Sequence, residues 1–213
     1  MRHAATARFD QSDIGMSGLK LQNTSVSWGQ VARAFHWGML VLVAIQIPLG
    51  FWMVDVYEVY AETYSDDTWV MRTSRAHHTL GFILLTVVAL RSGWRLASPR
   101  PEYPEGLSRY RLWLARLTHL MLYAILIIYP LSGWASLSAY EGEFPIFLFA
   151  WDNVFRIVPQ ATEEAFFSYE FFAGVHRWCW RVGAFVLGLH VSAALWHHLV
   201  IRDTVLRRMW RGR

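Results

Sequence analysis

Long uninterrupted runs of apolar residues, set between charged segments, organise this chain. Four stretches without Asp, Glu, Lys or Arg run from Ala34 to Val54, Ala76 to Leu90, Leu117 to Tyr140 and Val182 to Ile201. A hydrocarbon core of ~30 Å needs about 20 helical residues at ~1.5 Å each, so every run is long enough, or nearly so, to cross a bilayer. The shortest, Ala76–Leu90, reaches full length if Arg91 and Arg95 extend toward the interface or toward an internal anion. The pattern predicts an all-α protein, an integral membrane four-helix bundle with helices at roughly 31–54, 76–95, 112–138 and 176–201. Residues 1–30 read as a polar, poorly ordered N-terminal tail and 31–213 as the membrane domain.

Composition adds little to that division. A chain of 213 residues with 54% hydrophobic content suits one domain, and no internal repeat breaks it up. The apolar run after Arg33 has no small-residue cleavage site beside it, so the first helix is expected to stay in the mature protein. A single cysteine, Cys179, excludes an internal disulfide and reads best as a small buried side chain.

The placement of charge is more informative than its sum of +4. Arg2, Arg8, Lys20 and Arg33 precede the first helix. Arg95, Arg100, Arg109, Arg111 and Arg116 flank the middle connection, and Arg202, Arg207, Arg208, Arg211 and Arg213 follow the last helix. The other two connections are acidic, with Asp55, Glu58, Glu62, Asp66 and Asp67 in one and Glu141, Glu143, Asp152, Glu163, Glu164 and Glu170 in the other. The positive-inside rule therefore predicts that both termini face the cytoplasm, in a bacterial inner membrane. The basic residues are thus a signal of sidedness, and nothing supports nucleic acid as a partner.

Four of the nine histidines fall between His176 and Asp203, in the last membrane-length segment, where a polar side chain needs a partner. His176 and His190 are 14 residues apart. On a helix that is ~1400° of rotation, about 40° short of four turns, with ~21 Å of rise, so they share a face at two depths. His36 opens the first helix on the cytoplasmic side and His77 opens the second on the outer side. The pairs His36/His190 (inner) and His77/His176 (outer) follow from this map, although His36 lies nearer its charged flank than His190 does. Two facing imidazoles are the ligand set of a six-coordinate b-type haem, so two pairs imply two haem b irons, on the order of 20 Å apart by the helix rise. Any one histidine taken alone is better read as an interhelical hydrogen bond. A zinc site would want three or four ligands at one level. Gly38, Gly50, Gly81, Gly183 and Gly188 leave room for a flat macrocycle or for close helix packing. Arg91, 14 residues after His77, lies at the inner level, where it either pairs with a haem propionate or reaches the interface.

The segments RAFHWGMLVLVAIQIPLG around His36, HHTLGFILLTVVALRSGWR from His77, RLTHLMLYAILIIYPLSGWA around His119 and GLHVSAALWHHLVIRDTVLRRM at the end resemble the bacterial cytochrome b561 family of di-haem, four-helix membrane cytochromes. The resemblance covers all four helices. It implies His36, His77, His176 and His190 as haem-iron ligands, the set the helix geometry selects, with His78 a neighbour of the ligand.

One branch of that family oxidises superoxide at the outer face and passes electrons to ubiquinone. By that resemblance His197 would sit by a quinone near the cytoplasmic side, with His119 assisting; for both, an interfacial polar side chain is the plainer alternative. Histidine suits a quinone because it can supply hydrogen bonds and protons near neutral pH. The donor is left open. Arg72, Arg75, Arg177 and Arg181 can be arranged as a positive funnel for superoxide, whereas the net acidic outer loops, with aromatic residues from Phe144 to Tyr169, suit a basic periplasmic cytochrome c or a dehydrogenase. The expected activity is transmembrane electron transfer between a periplasmic-side donor and the quinone pool, with lipid around the bundle and superoxide:ubiquinone oxidoreductase as one form of it. The alternative is a haem-containing anchor or assembly subunit of a larger respiratory or photosynthetic complex.

Overall fold

The computed structural model describes residues 21–25, 27–64, 66–102 and 108–212, so most of the expected N-terminal tail lies outside the described residues. Four long helices carry the fold: α1 (Gln30–Thr63), α2 (Thr68–Ala97), α3 (Arg109–Ala139) and α4 (Tyr169–Trp196). A π-helical turn (His197–Ile201) continues α4, and a short α5 (Val205–Arg211) follows. No extended strand is present among the described residues. All four long helices, α4 together with its π-helical turn, are long and apolar enough to cross a membrane. Most of each apolar window is exposed, as expected of helices whose outer faces meet lipid.

All four helices outrun their expected bounds, α3 (Arg109–Ala139 against 112–138) the least, for one physical reason. The first charge beside an apolar run marks where a helix leaves hydrocarbon, but the backbone hydrogen bonding of the helix can continue into water. So α1 continues through Asp55, Glu58 and Glu62 and stops only at Tyr64, which takes a left-handed conformation (φ 50°) and donates its N–H to the Tyr60 carbonyl. α2 begins at Thr68 rather than 76, with the Thr68 N–H bonded to Asp66 Oδ1 at 2.9 Å. α4 begins at Tyr169 rather than 176 and has Glu170 in its first turn, where the helix dipole favours it.

Consecutive helices pack side by side, α1 on α2, α2 on α3 and α3 on α4. α1 and α4 meet through ring contacts such as Phe51 with Trp180, 5.3 Å between centres. Small polar residues are buried within α2 and α3, namely Thr73, Ser132, Ser136 and Ser138. Each hydroxyl bonds to a carbonyl three or four residues back in its own helix, so burial leaves none of them unsatisfied.

The two ends of the bundle are closed differently. At the end where α1 begins, α5 lies against it: Trp37 Nε1 donates to the Met209 carbonyl and Arg33 to that of Trp210, each at 3.0 Å. Part of the expected tail is tied down here, since Asn23 bridges the Gly29 N–H and the Pro99 carbonyl. At the other end, residues 140–168 fold into a lid. Two isolated bridges, Ile146 with Asn153 and Leu148 with Trp151, shape it. Arg156 holds it to α3 by donating to the carbonyls of Leu137 and Ser138 at 2.7 and 2.8 Å, groups that a helix end leaves without partners.

Candidate haem-binding site

Four imidazoles from three helices come together as two pairs. The His36 and His190 ring centres are 6.3 Å apart, and those of His77 and His176 are 6.4 Å apart. A metal held between two imidazole nitrogens at ~2 Å on each side places the ring centres about 6 Å apart, so each gap is the width of one metal atom with its two bonds. No hydrogen bond joins the rings within either pair among the described residues. Nor does any group of three or more His, Cys, Asp or Glu form there, as a zinc site would need.

At the lid end the polar atoms of the pair fit iron ligation. His176 Nδ1 donates to the Tyr129 carbonyl at 2.8 Å, with the Ser132 hydroxyl 3.2 Å away. A carbonyl only accepts, so the proton is on Nδ1 and Nε2 keeps its lone pair for a metal. On the facing ring, His77 Nδ1 is buried without a partner, while the His77 carbonyl accepts from Gln46 Nε2 at 2.9 Å. Gln46 is the only amide in the Ala34–Val54 run. Two glycines make room for the rings: a Cβ on Gly50 would stand 3.0 Å from His77 Cε1, and one on Gly133 would stand 3.0 Å from His176 Cε1. The bare Nε2 of His176 and the room left by the two glycines are features a bis-imidazole haem site needs.

The pair at the other end is set by different neighbours. Arg91 Nη2 lies 3.3 Å from His36 Nδ1, and its Nε donates to the Tyr123 hydroxyl at 2.9 Å. A guanidinium only donates, so this contact leaves Nδ1 bare. Iron ligation through Nε2 would place the proton on Nδ1 and end the contact, releasing Arg91 for a carboxylate. His119 joins this level from α3, its ring 5.2 Å from that of His190 and its Nδ1 donating to the Ala115 carbonyl at 2.6 Å. His197, its expected companion, is held elsewhere: Nδ1 lies 2.5 Å from Asp203 Oδ2, and Asp203 Oδ1 accepts from the Val205 N–H that begins α5.

The lid covers the His77/His176 end. Phe147 is buried, stacked on His78 with 5.7 Å between ring centres, under the Arg75 guanidinium at 4.3 Å. Phe149, at φ 53°, is held by α2 through both of its main-chain polar groups: its N–H donates to Thr79 Oγ1 and its carbonyl accepts from Arg75. His78 is therefore an anchor of the lid. Each of the four arginines considered as a funnel has its own partner: Arg75 pairs with Asp152 at 2.6 Å, Arg177 with Glu170 at 3.2 Å, and Arg72 and Arg181 lie over the indoles of Trp69 and Trp178. The Arg75 guanidinium beside Asp152 holds that carboxyl below its usual range.

Sequence reasoning missed Gln46, the Tyr129 carbonyl with Ser132, and Asp203. A lone amide in a membrane run and an Asp six residues after a histidine were readable signals for two of them. A main-chain acceptor leaves no mark in composition.

Comparison with known proteins supplies the context. The profile of the prokaryotic cytochrome b561 family matches residues 27–212. The chain is 30% identical to cytochrome b561 homolog 2 of Escherichia coli (strain K12), over 90% of this chain and 95% of that protein. It is 28% identical to the probable superoxide oxidase CybB of Yersinia pestis, over 82% of this chain and 90% of the relative. It is also 28% identical to cytochrome b561 homolog 1 of Escherichia coli (strain K12), over 82% of this chain and 91% of that protein.

Proposed function

This chain belongs to the prokaryotic cytochrome b561 family, a multi-pass inner-membrane family of b-type haem proteins, and we propose that it carries electrons between a donor at its lid end and the quinone pool at its other end. In this reading His36 with His190, and His77 with His176, hold two b haems, and Arg91 turns from His36 to a propionate. Bound haem supplies reversible one-electron chemistry at iron. The observation that carries the reading is the repeated ring spacing, 6.3 and 6.4 Å, at two levels of one helix 14 residues apart.

The chain's own residues define the rest of the path. Both termini face the cytoplasm in this reading, because the basic flanks lie at that end. Asp203 accepts from His197 Nδ1–H, so the ring is fixed with Nε2 free: the neutral ring accepts there from a quinol hydroxyl, and the imidazolium left by that proton transfer donates Nε2–H to a quinone carbonyl. His119 belongs to that site by resemblance, but its place against His190 favours another role.

The family also supports superoxide as donor, through the name of the Yersinia pestis relative. The lid favours a protein. It buries Phe147 over the His77 end, its arginine neighbours are engaged, and it exposes Phe149, Trp151 and Phe155 beside acidic residues. Such a surface fits a basic periplasmic electron carrier. Rapid mixing of the oxidised protein with superoxide or with a basic c-type cytochrome, at two salt concentrations, separates the two. A protein donor reduces haem more slowly as salt rises, and Glu141, Glu143, Glu163 and Glu164 changed together to Gln slow it in the same way. Reduction by superoxide alone, unslowed by those substitutions, would make superoxide the donor.

A further inference from the structure

We propose that α3, which carries no iron ligand, fixes the proton position on both ligands of α4, and that His119 does this for His190. The inference rests on the haem reading above and concerns the atoms behind the ligands. The helices α3 and α4 pack together, and both repeat at the same interval: His176 and His190 are 14 residues apart, and so are His119 and Gly133. Gly133 lies beside His176 and His119 beside His190, so each α4 ligand meets a fixed position on α3.

At His176 the arrangement is complete. The Tyr129 carbonyl accepts the Nδ1 proton at 2.8 Å, and the Tyr129 ring lies 4.1 Å from the imidazole centre. At His190 no hydrogen bond of the ring is present among the described residues, yet ligation through Nε2 puts a proton on Nδ1 and leaves that N–H needing an acceptor. His119 is prepared for this. Its own Nδ1–H is committed to the Ala115 carbonyl, so in the neutral ring Nε2 is a bare acceptor. Two imidazoles joined by an N–H···N bond of ~3 Å have ring centres about 5 Å apart, and these two are 5.2 Å apart. His119 is thus a positioning residue for the inner ligand. By accepting from Nδ1–H it makes His190 a stronger donor and holds the inner iron toward its oxidised state.

The test is a spectroelectrochemical titration of the full-length, haem-loaded protein and of His119→Phe and His119→Gln. Phe removes the acceptor, and the expected result is an inner-haem potential raised by a tenfold change in the oxidised-to-reduced ratio, ~59 mV for one electron, with the outer haem unmoved. Gln places an accepting oxygen in the same region and is expected to return at least half of the shift. Loss of the inner haem in His119→Phe with retention in His119→Gln carries the same meaning. An unmoved potential in His119→Phe, as when His190 turns instead to its own helix carbonyl, overturns the inference, as do equal shifts or haem loss in both variants. A wild-type haem count below two would bring down the haem reading itself, a different failure from an unmoved potential in a fully loaded protein.

Discussion

Gly133 lies so close to the imidazole of His176 that a Cβ on it would stand 3.0 Å from Cε1 and 3.2 Å from Nδ1. The ring cannot retreat freely, because its Nδ1 is bonded to the Tyr129 carbonyl only one turn earlier on the same helix. Gly133→Ala should push the ring by a few tenths of an ångström and weaken the outer haem by about 10–100-fold. Gly133→Val should remove it and leave the inner haem spectrum intact. Pyridine haemochrome assay of the purified variants, with circular dichroism as the check on helix content, reads both outcomes.

The second prediction concerns His197 and Asp203. Asp203 bonds His197 through one oxygen and the first N–H of α5 through the other, so Asp203→Asn keeps a capping side chain while removing the charge from the histidine. His197→Ala should slow reoxidation of reduced haem by a short-chain quinone ~100-fold, and Asp203→Asn should slow it less, with both haem spectra unchanged. Stopped-flow absorbance measures this. Wild-type rates in His197→Ala would make the dyad a structural tie between the π-helical turn and α5.

How far these features could be read in advance depended on where their physics resides. Charge-free runs located four membrane crossings because the cost of burying charge is written in side chains. The same runs misplaced the ends of α1 and α4, since Asp55–Thr63 and Tyr169–Val175 are helical in spite of their polar residues. The imidazole pairs were legible because helix rise and rotation convert residue number into depth and face. What anchors them was not: the Tyr129 carbonyl is main chain, and the Gln46 bond to the His77 carbonyl depends on how α1 meets α2. The lid was visible only as an aromatic, acidic segment. Its hold on Arg75, His78 and Thr79 comes from contacts about 70 residues apart in sequence.

That hold gives a pH dependence with a definite sign. Asp152 titrates below its usual range because Arg75 bonds its carboxylate, so the pair contributes fully above the unfolded value of ~3.9. The contribution fades as pH falls through the lowered folded value. Hydrogen exchange at Leu148 and Val154, whose N–H groups hold the lid together, should therefore quicken below about pH 4. Asp152→Asn should exchange faster at neutral pH and lose the acid step. The pair is exposed, so the effect at neutral pH should be small and should shrink with salt.

The central claim is that two imidazole pairs on three helices hold two haems, and counting haem per chain tests it most directly. Protein purified in mild detergent should give two b-type haems per polypeptide, low-spin in both redox states and released by acidified solvent, since the sequence has no Cys-x-x-Cys-His attachment. His36→Ala or His190→Ala should reduce the count to one by removing the inner haem, and His77→Ala or His176→Ala should do so by removing the outer. A wild-type count of one with all helices intact, or two haems retained after His77→Ala, would contradict the pairing.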